Sequence, residues 1–109
     1  MSFHEKTESI VKKACVYELA QAVMGNGDEF HSMHEAWAVL KEEIEEVHQE
    51  YINIKGDYNG LWECVIRNEK KSFIVGAQFI QNYVIRAMKE LAQVWAVCEK
   101  MKNGWEVKE

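Results

Sequence analysis

Apolar residues recur at alternating spacings of three and four along most of the chain, which predicts amphipathic α-helices. The first such stretch covers about 5–24 and ends at a Gly-Asn-Gly cluster over 25–27, where glycine accepts the positive φ that ends helices. Residues 28–31 then form a loop. Ser32 followed by Glu35 is a capping-box pattern, and it predicts the start of a second helix.

The second half of the chain repeats this alternation of helix and break. The second helix is expected to reach about Lys55, and the polar, glycine-bounded segment 56–60 is read as a turn. A short helix over 61–67 precedes a polar break at 68–71. The last helix is long and covers about 73–102. The pattern thus predicts about four helices.

Each of the two long helices carries what we call its apolar seam, a stripe of apolar residues three and four apart. The seam of the second helix consists of Trp37, Leu40, Ile44, Val47, Tyr51 and Ile54. The seam of the last helix consists of Ala77, Ile80, Val84, Ala87, Leu91, Val94, Cys98 and Met101. Such seams indicate a single all-α bundle over 1–109, with a short tail at 103–109, completed by oligomerisation into a homodimer or homotetramer.

Composition supports this fold class and excludes several others. The chain has 109 residues, no proline and 48% hydrophobic residues, so it favours long helices and is not disordered. A net charge of −5 argues against a nucleic-acid binder with a wholly basic surface. No signal-peptide core and no apolar run of about 18 residues is present, so we expect a soluble, cytoplasmic protein without a membrane partner. The three cysteines, Cys15, Cys64 and Cys98, are expected to be buried apolar residues.

The most informative segment is 41–50, which holds five glutamates and one lysine. Glu43 and Glu46 each immediately precede a seam residue, so they flank the seam instead of opposing it. Glu90 and Gln93 stand in the same position on the last helix. If the two helices pack antiparallel, these pairs of oxygen ligands can meet and hold Mg²⁺ or Mn²⁺. Bridging metals could then bind a polyphosphate and activate a water.

These motifs resemble those of a known superfamily. Glu42-Glu43-x-x-Glu46 followed by Glu90-x-x-Gln93 looks like the pattern of the MazG-type all-α nucleoside triphosphate pyrophosphohydrolases. The chain is most similar to the short, phage-associated MazG-like proteins, over roughly residues 28–102. The prefix that precedes the double glutamate in those proteins stands here as Ser32, His34, Glu35, Ala38 and Val39.

The resemblance implies a Mg²⁺-dependent hydrolase that cleaves between the α and β phosphates of a (d)NTP, releasing a (d)NMP and pyrophosphate. On that basis Glu43, Glu46 and Glu90 would be metal ligands. Glu42 would help to bind metal or orient the attacking water. Gln93 replaces the usual aspartate of the family, and its neutral amide would hold a second cation more weakly.

Five further residues are candidates for substrate binding. His34 and Glu35 precede the acidic motif and can contact substrate near the metal, although Glu35 equally fits a helix cap on the preceding serine. Arg86 and Lys89 flank the acidic pair of the last helix and can neutralise phosphate charge. Tyr83 lies on the ligand stripe and can stack on a base.

Two other functions compete with this interpretation. Glu45-x-x-His48 has the spacing of di-iron carboxylate bundles, but the last helix lacks the second copy that such sites need. A catalytically inactive helical assembly or regulatory protein would explain the seams and the missing proline. It would not explain why carboxylates and an amide occupy matching positions beside both seams.

Overall fold

The computed structural model describes residues 2–27 and 29–105, and within these ranges the chain forms α-helices and no strand. Three helices are present, α1 (Phe3–Asn26), α2 (Met33–Arg67) and α3 (Lys70–Gly104). The prediction of an all-helical chain is therefore confirmed.

Side-chain and glycine caps set the helix boundaries near the predicted positions. The Ser2 hydroxyl accepts a hydrogen bond from the Glu5 backbone N–H at 3.1 Å, and the Glu5 carboxylate accepts one from the Ser2 N–H, which completes a capping box. α1 ends at Gly27, whose φ of 81° is the conformation that glycine adopts without strain. At the start of α2 the Ser32 hydroxyl accepts from the Glu35 N–H at 3.1 Å, as predicted. Residue 28 of the expected loop and residues 106–109 of the expected tail lie outside the described residues.

The predicted turn at 56–60 is wrong, and so is the count of four helices. α2 passes through this segment and absorbs the short helix expected over 61–67. A glycine inside a helix costs only about 1 kcal/mol relative to alanine, and no proline is present to break the backbone hydrogen bonds. The inward-facing residues Asp57 and Leu61 continue the face of α2 that lies against α3, so packing outweighs the local preference for a turn.

The break between α2 and α3 is real but shorter than predicted. Asn68 adopts a left-handed conformation with φ of 54°, which asparagine tolerates better than most residues. Its N–H donates to the Val65 carbonyl, and the Glu69 N–H donates to the Cys64 carbonyl, which is the Schellman arrangement at a helix C-terminus. α3 then begins at Lys70 instead of residue 73.

Packing divides the chain into two units. The first unit comprises 1–43 and 91–109, and the second comprises 44–90. All the buried side chains in the described residues belong to the first unit. They are Cys15, Ala36, Ala92, Ala96 and Lys100. This core is made mainly of small residues, so it buries little apolar area.

The second unit is a hairpin formed by the C-terminal half of α2 and the N-terminal half of α3. Near the turn, Leu61 of α2 packs so closely against Gly76 of α3 that an added Cβ would lie 2.8 Å from the Leu61 Cδ2. About four helical turns farther from the break, Glu46 of α2 lies near Glu90 of α3. The two helices therefore run antiparallel, which is the condition under which the two acidic pairs can meet.

The apolar seams are much more exposed than predicted. Trp37, expected in the core, is 59% exposed, and the seam residues Ile44 and Leu91 are also exposed. In the second unit no residue from 44 to 90 is fully buried. The inward positions are shared between seam and neighbouring stripe. Val47, Ile54, Ala77, Ile80 and Ala87 of the seams are half-buried, and so are Glu43, Glu50, Tyr83 and Glu90 of the stripes, whereas Glu46 and Arg86 are exposed. The expectation of buried cysteines holds for Cys15, whereas Cys64 and Cys98 are half-buried; all three are free thiols.

Eleven of the fourteen large apolar residues that are exposed in the second unit lie on one surface, which we call the apolar face; Ile52, Val75 and Phe79 lie outside it. On α2 it comprises Ile44, Tyr51, Tyr58, Trp62, Val65 and Ile66. On α3 it comprises Phe73, Ile74, Val84, Ile85 and Met88. On each helix these positions are rotated by roughly 100° about the helix axis from the residues that face the other helix. Viewed along the chain direction of each helix, the rotation has the same sense in both. In an antiparallel pair this places both sets on the same side of the hairpin.

Within the described helices, no stretch combines the length, hydropathy and low charge that crossing a membrane requires.

Candidate functional site

Three carboxylates predicted as metal ligands lie together in the structure. Glu43 and Glu46 are one turn apart on α2, and Glu90 is on α3. Each offers one carboxylate oxygen, and these three oxygens lie within 4.8 Å of one another. Glu43 and Glu90 are half-buried and Glu46 is exposed. The helical spacing places the first two side chains on one face of α2, and the antiparallel hairpin brings the third to them.

The donor set of these residues fits a hard divalent cation. Octahedral Mg²⁺ binds oxygens at about 2.1 Å, so its ligands lie about 3 Å apart at adjacent positions and about 4 Å apart at opposite ones. Among three ligands of one ion at most one pair can be opposite, so at least two of the separations, which are within 4.8 Å here, would have to be about 3 Å when an ion is bound. A set of three carboxylates also leaves room for the waters and phosphate oxygens that Mg²⁺ retains.

A fourth glutamate continues the same stripe of α2. Glu50 lies one turn beyond Glu46, is half-buried, and its Oε2 is enclosed without a hydrogen-bond partner in the described part of the chain. An enclosed carboxylate oxygen without a partner is destabilising. The hairpin therefore tolerates negative charge at a position where a nearby cation would be stabilising.

A cleft of about 650 Å³ opens within the first unit, next to Glu43 along α2 and Gln93 along α3. Its walls come from α1, the 29–31 segment, α2 and α3. The lining side chains are those of Glu18, Gln21, Ala22, Phe30, His31, Glu35, Val39, Glu43, Gln93, Ala96, Val97 and Lys100. Two of the predicted ligands, Glu43 and Gln93, thus line a cleft of the size that small-molecule sites have.

One buried cation lies in this cleft. Lys100 is only 6% exposed, and its Nζ lies 4.3 Å from the centre of the Phe30 ring, a cation–π contact. Neither residue was a candidate on sequence grounds. Lys100 could have been found, because the stripe of Glu90, Gln93 and Val97 reaches it at the same three–four spacing. Phe30 precedes α2 in an irregular segment, where no periodicity indicates what it contacts.

The predicted substrate residues on α3 are placed in the second unit. Tyr83 is half-buried, and the Arg86 guanidinium lies 5.6 Å from the centre of its ring. Lys89 is exposed. Tyr83 lies two turns before Glu90 and Arg86 one turn before it, so both share the face of α3 that carries this ligand. None of the three lines the cleft.

Of the remaining candidates on α2, Glu35 lines the cleft, whereas His34 and Glu42 do not. Glu35 both caps the helix, accepting a long hydrogen bond of 3.4 Å from the His31 N–H, and lines the cleft. The two roles proposed for Glu35 are therefore compatible. His34 is exposed and does not line the cleft, where His31 is found instead. Glu42 is exposed and lies outside the group of three carboxylates.

The residues of the competing di-iron motif do not come together with other ligands. Glu45 and His48 are both exposed, and neither belongs to a cluster of metal-ligating side chains within the described ranges. Comparison of the chain with family models, with curated proteins and with solved structures finds no match.

Proposed function

We propose that the protein is a metal-dependent nucleoside triphosphate pyrophosphohydrolase of the MazG-like kind, converting a (d)NTP to a (d)NMP and pyrophosphate. The observation that carries the proposal is the approach of Glu43, Glu46 and Glu90 to within 4.8 Å across two helices. Three carboxylate oxygens brought together are the kind of ligand set that a hard divalent cation prefers. The adjoining cleft supplies a cavity of suitable size for a nucleotide.

In this proposal the three glutamates hold Mg²⁺ or Mn²⁺, and Gln93 adds a neutral carbonyl oxygen. When bound, the cation stabilises charge on the phosphate oxygens and lowers the pKa of the attacking water. Glu42 helps to bind the metal or orients the attacking water, whose oxygen forms a bond to the α-phosphorus as its proton passes to solvent. The bond from the α-phosphorus to the bridging oxygen breaks, and pyrophosphate leaves with the electron pair. His34, Glu35, Tyr83, Arg86 and Lys89 remain candidates for contacts to the substrate.

We also propose that the protein is a homo-oligomer in which the apolar face of one hairpin packs against that of a second copy. Eleven of the fourteen large apolar residues that are exposed in the second unit lie on this face. Large exposed apolar patches mark sites of protein–protein interaction. A second copy is favoured as the occupant because seam residues on both helices contribute to one continuous face, as in a bundle completed by symmetry.

A non-enzymatic assembly is the second candidate function, and the exposed apolar face favours it as much as it favours an oligomeric enzyme. Assembly alone requires no carboxylates at the inward-facing positions of the hairpin. The oxygen ligands that Glu43, Glu46 and Glu90 bring together therefore favour the enzyme.

Thermal unfolding with and without metal tests the proposed cation site. Millimolar Mg²⁺ or Mn²⁺ is expected to raise the midpoint by at least about 4 °C, because a ligand at 100 times its Kd adds about 2.7 kcal/mol to the folded state. Glu46→Gln should remove most of this shift, since it removes one charged ligand. The measurement is circular dichroism at 222 nm during heating.

Glu63→Gln is the matched control, because Glu63 is exposed on the same helix and outside the group of three carboxylates. It should keep the full shift. A midpoint that does not respond to either metal, or an equal response in both variants, would contradict the cation site.

A further inference from the structure

A buried lysine in the cleft of the first unit has no role in the proposed reaction as described so far. Lys100 is 6% exposed, and within residues 2–27 and 29–105 it forms no ion pair. Its contact in the structure is the face of the Phe30 ring, with Nζ 4.3 Å from the ring centre. Removing an ammonium from water is unfavourable, and a ring face compensates for only part of that loss. The site therefore favours an anion beside Nζ.

The other walls of the cleft restrict which anion can bind. Glu18, Glu35 and Glu43 also line it, so an anion without a counter-cation would meet three carboxylates. An anion that carries its own divalent cation suits the cleft as a whole. The cation can approach the carboxylates while the anion reaches Lys100. Phosphate chains bind Mg²⁺ in this way.

The spacing along α3 indicates which part of a phosphate chain lies at Lys100. Gln93 and Lys100 both line the cleft and are seven residues apart, which is roughly 10 Å along a helix. A triphosphate whose α-phosphate lies beside Glu43 and Gln93 would place its two outer phosphates toward Lys100. These outer phosphates become the leaving group of the proposed reaction.

We propose that Lys100, held by the Phe30 ring, binds the β and γ phosphates of the substrate and retains pyrophosphate after cleavage. This inference rests on the proposed function for the identity of the substrate. It assigns to the cleft a selectivity for triphosphates over monophosphates, since a monophosphate bound beside Glu43 does not reach the lysine. Lysine acts here as a compact charge, which suits a flexible phosphate chain.

Binding of Mg²⁺-pyrophosphate, measured by isothermal titration calorimetry, tests this without any turnover. Wild-type protein is expected to bind it, and Lys100→Met to bind it roughly 10- to 100-fold more weakly, as expected when a charged hydrogen bond is lost. Methionine matches the length and apolar stem of lysine, so the variant should unfold at a temperature no lower than wild type. Lys100→Arg should retain measurable binding. Lys71→Met, at an exposed position on the same helix, should bind as wild type does.

Each outcome supports or overturns the assignment. Equal affinities of wild type and a folded Lys100→Met for Mg²⁺-pyrophosphate would overturn it, and so would wild-type protein that binds no pyrophosphate at millimolar concentration. Loss of binding together with a lower unfolding temperature would also overturn it, because that result describes a purely structural lysine. Lysine-dependent binding without hydrolysis of any nucleotide would support the anion site and refute the proposed function. Hydrolysis of a nucleotide by wild type, together with unchanged pyrophosphate binding in Lys100→Met, would support the proposed function and refute the anion site at Lys100.

Discussion

Replacing Glu46 with glutamine is expected to lower the rate of pyrophosphate release from a nucleoside triphosphate at least about 100-fold. Glu46 is the exposed member of the group of three carboxylates, so the isosteric change removes charge without disturbing a buried contact. The loss arises because stabilisation of the α-phosphate by a cation contributes several kcal/mol, and each 1.4 kcal/mol is about tenfold in rate. Initial rates of pyrophosphate release at saturating Mg²⁺ provide the measurement.

Glu63→Gln makes the same chemical change on the same helix, at an exposed position outside that group, and should leave the rate within about twofold of wild type. Partial recovery of the Glu46→Gln rate at higher Mn²⁺ concentration is also expected, because weaker binding is offset by mass action. If Glu46→Gln released pyrophosphate as fast as wild type, this glutamate would not be a ligand of the catalytic cation.

The second large effect concerns assembly. Ile85→Glu is expected to weaken self-association at least about 100-fold, because it buries a carboxylate in the interface between copies. Ile85 is 67% exposed in the single chain and lies on the apolar face of α3. The measurement is the molar mass by sedimentation velocity across a range of concentrations. Wild type should sediment as a dimer or tetramer, and the variant should shift to monomer.

Asn82→Glu tests whether added charge alone causes dissociation. Asn82 is exposed on α3 and lies away from the apolar face, so this variant should keep the wild-type mass. A wild-type protein that remains monomeric at every concentration would show that the apolar face does not bind a second copy. Trp62→Glu, which changes the α2 part of the same face, should reproduce the effect of Ile85→Glu.

Sequence periodicity predicts which residues share a helical face, and it grouped the candidate carboxylates correctly on each helix. Glu43 and Glu46 share a face of α2 by their spacing alone, as Glu90 and Gln93 do on α3. The approach of Glu90 to the other two depended on antiparallel packing, which the sequence left as a condition and the structure shows. The family resemblance added the chemical interpretation and did not alter the geometry.

Other features could not be predicted because they depend on tertiary packing. The glycines at 56 and 60 have a local preference for a turn, and only the contact of the hairpin helices decides that α2 continues. Periodicity also cannot tell which of two adjacent stripes packs against another helix of the same chain and which lies on the surface. Trp37 and Ile44 of the α2 seam are exposed, whereas Glu43 and Glu50 of the neighbouring stripe are half-buried. In the cleft, the contact of Lys100 with Phe30 joins a helix to an irregular segment, for which sequence has no signal.

The phosphorus atom that water attacks distinguishes a nucleoside triphosphate pyrophosphohydrolase from other phosphatases. The reaction would be run in H₂¹⁸O with Mg²⁺ on a panel of canonical and modified nucleoside triphosphates, and the products analysed by mass spectrometry. Attack on the α-phosphorus predicts one ¹⁸O atom in the nucleoside monophosphate and none in the pyrophosphate, with release abolished in Glu43→Gln. Label in pyrophosphate or orthophosphate, or no release from any nucleotide above the Glu43→Gln background, would contradict the account.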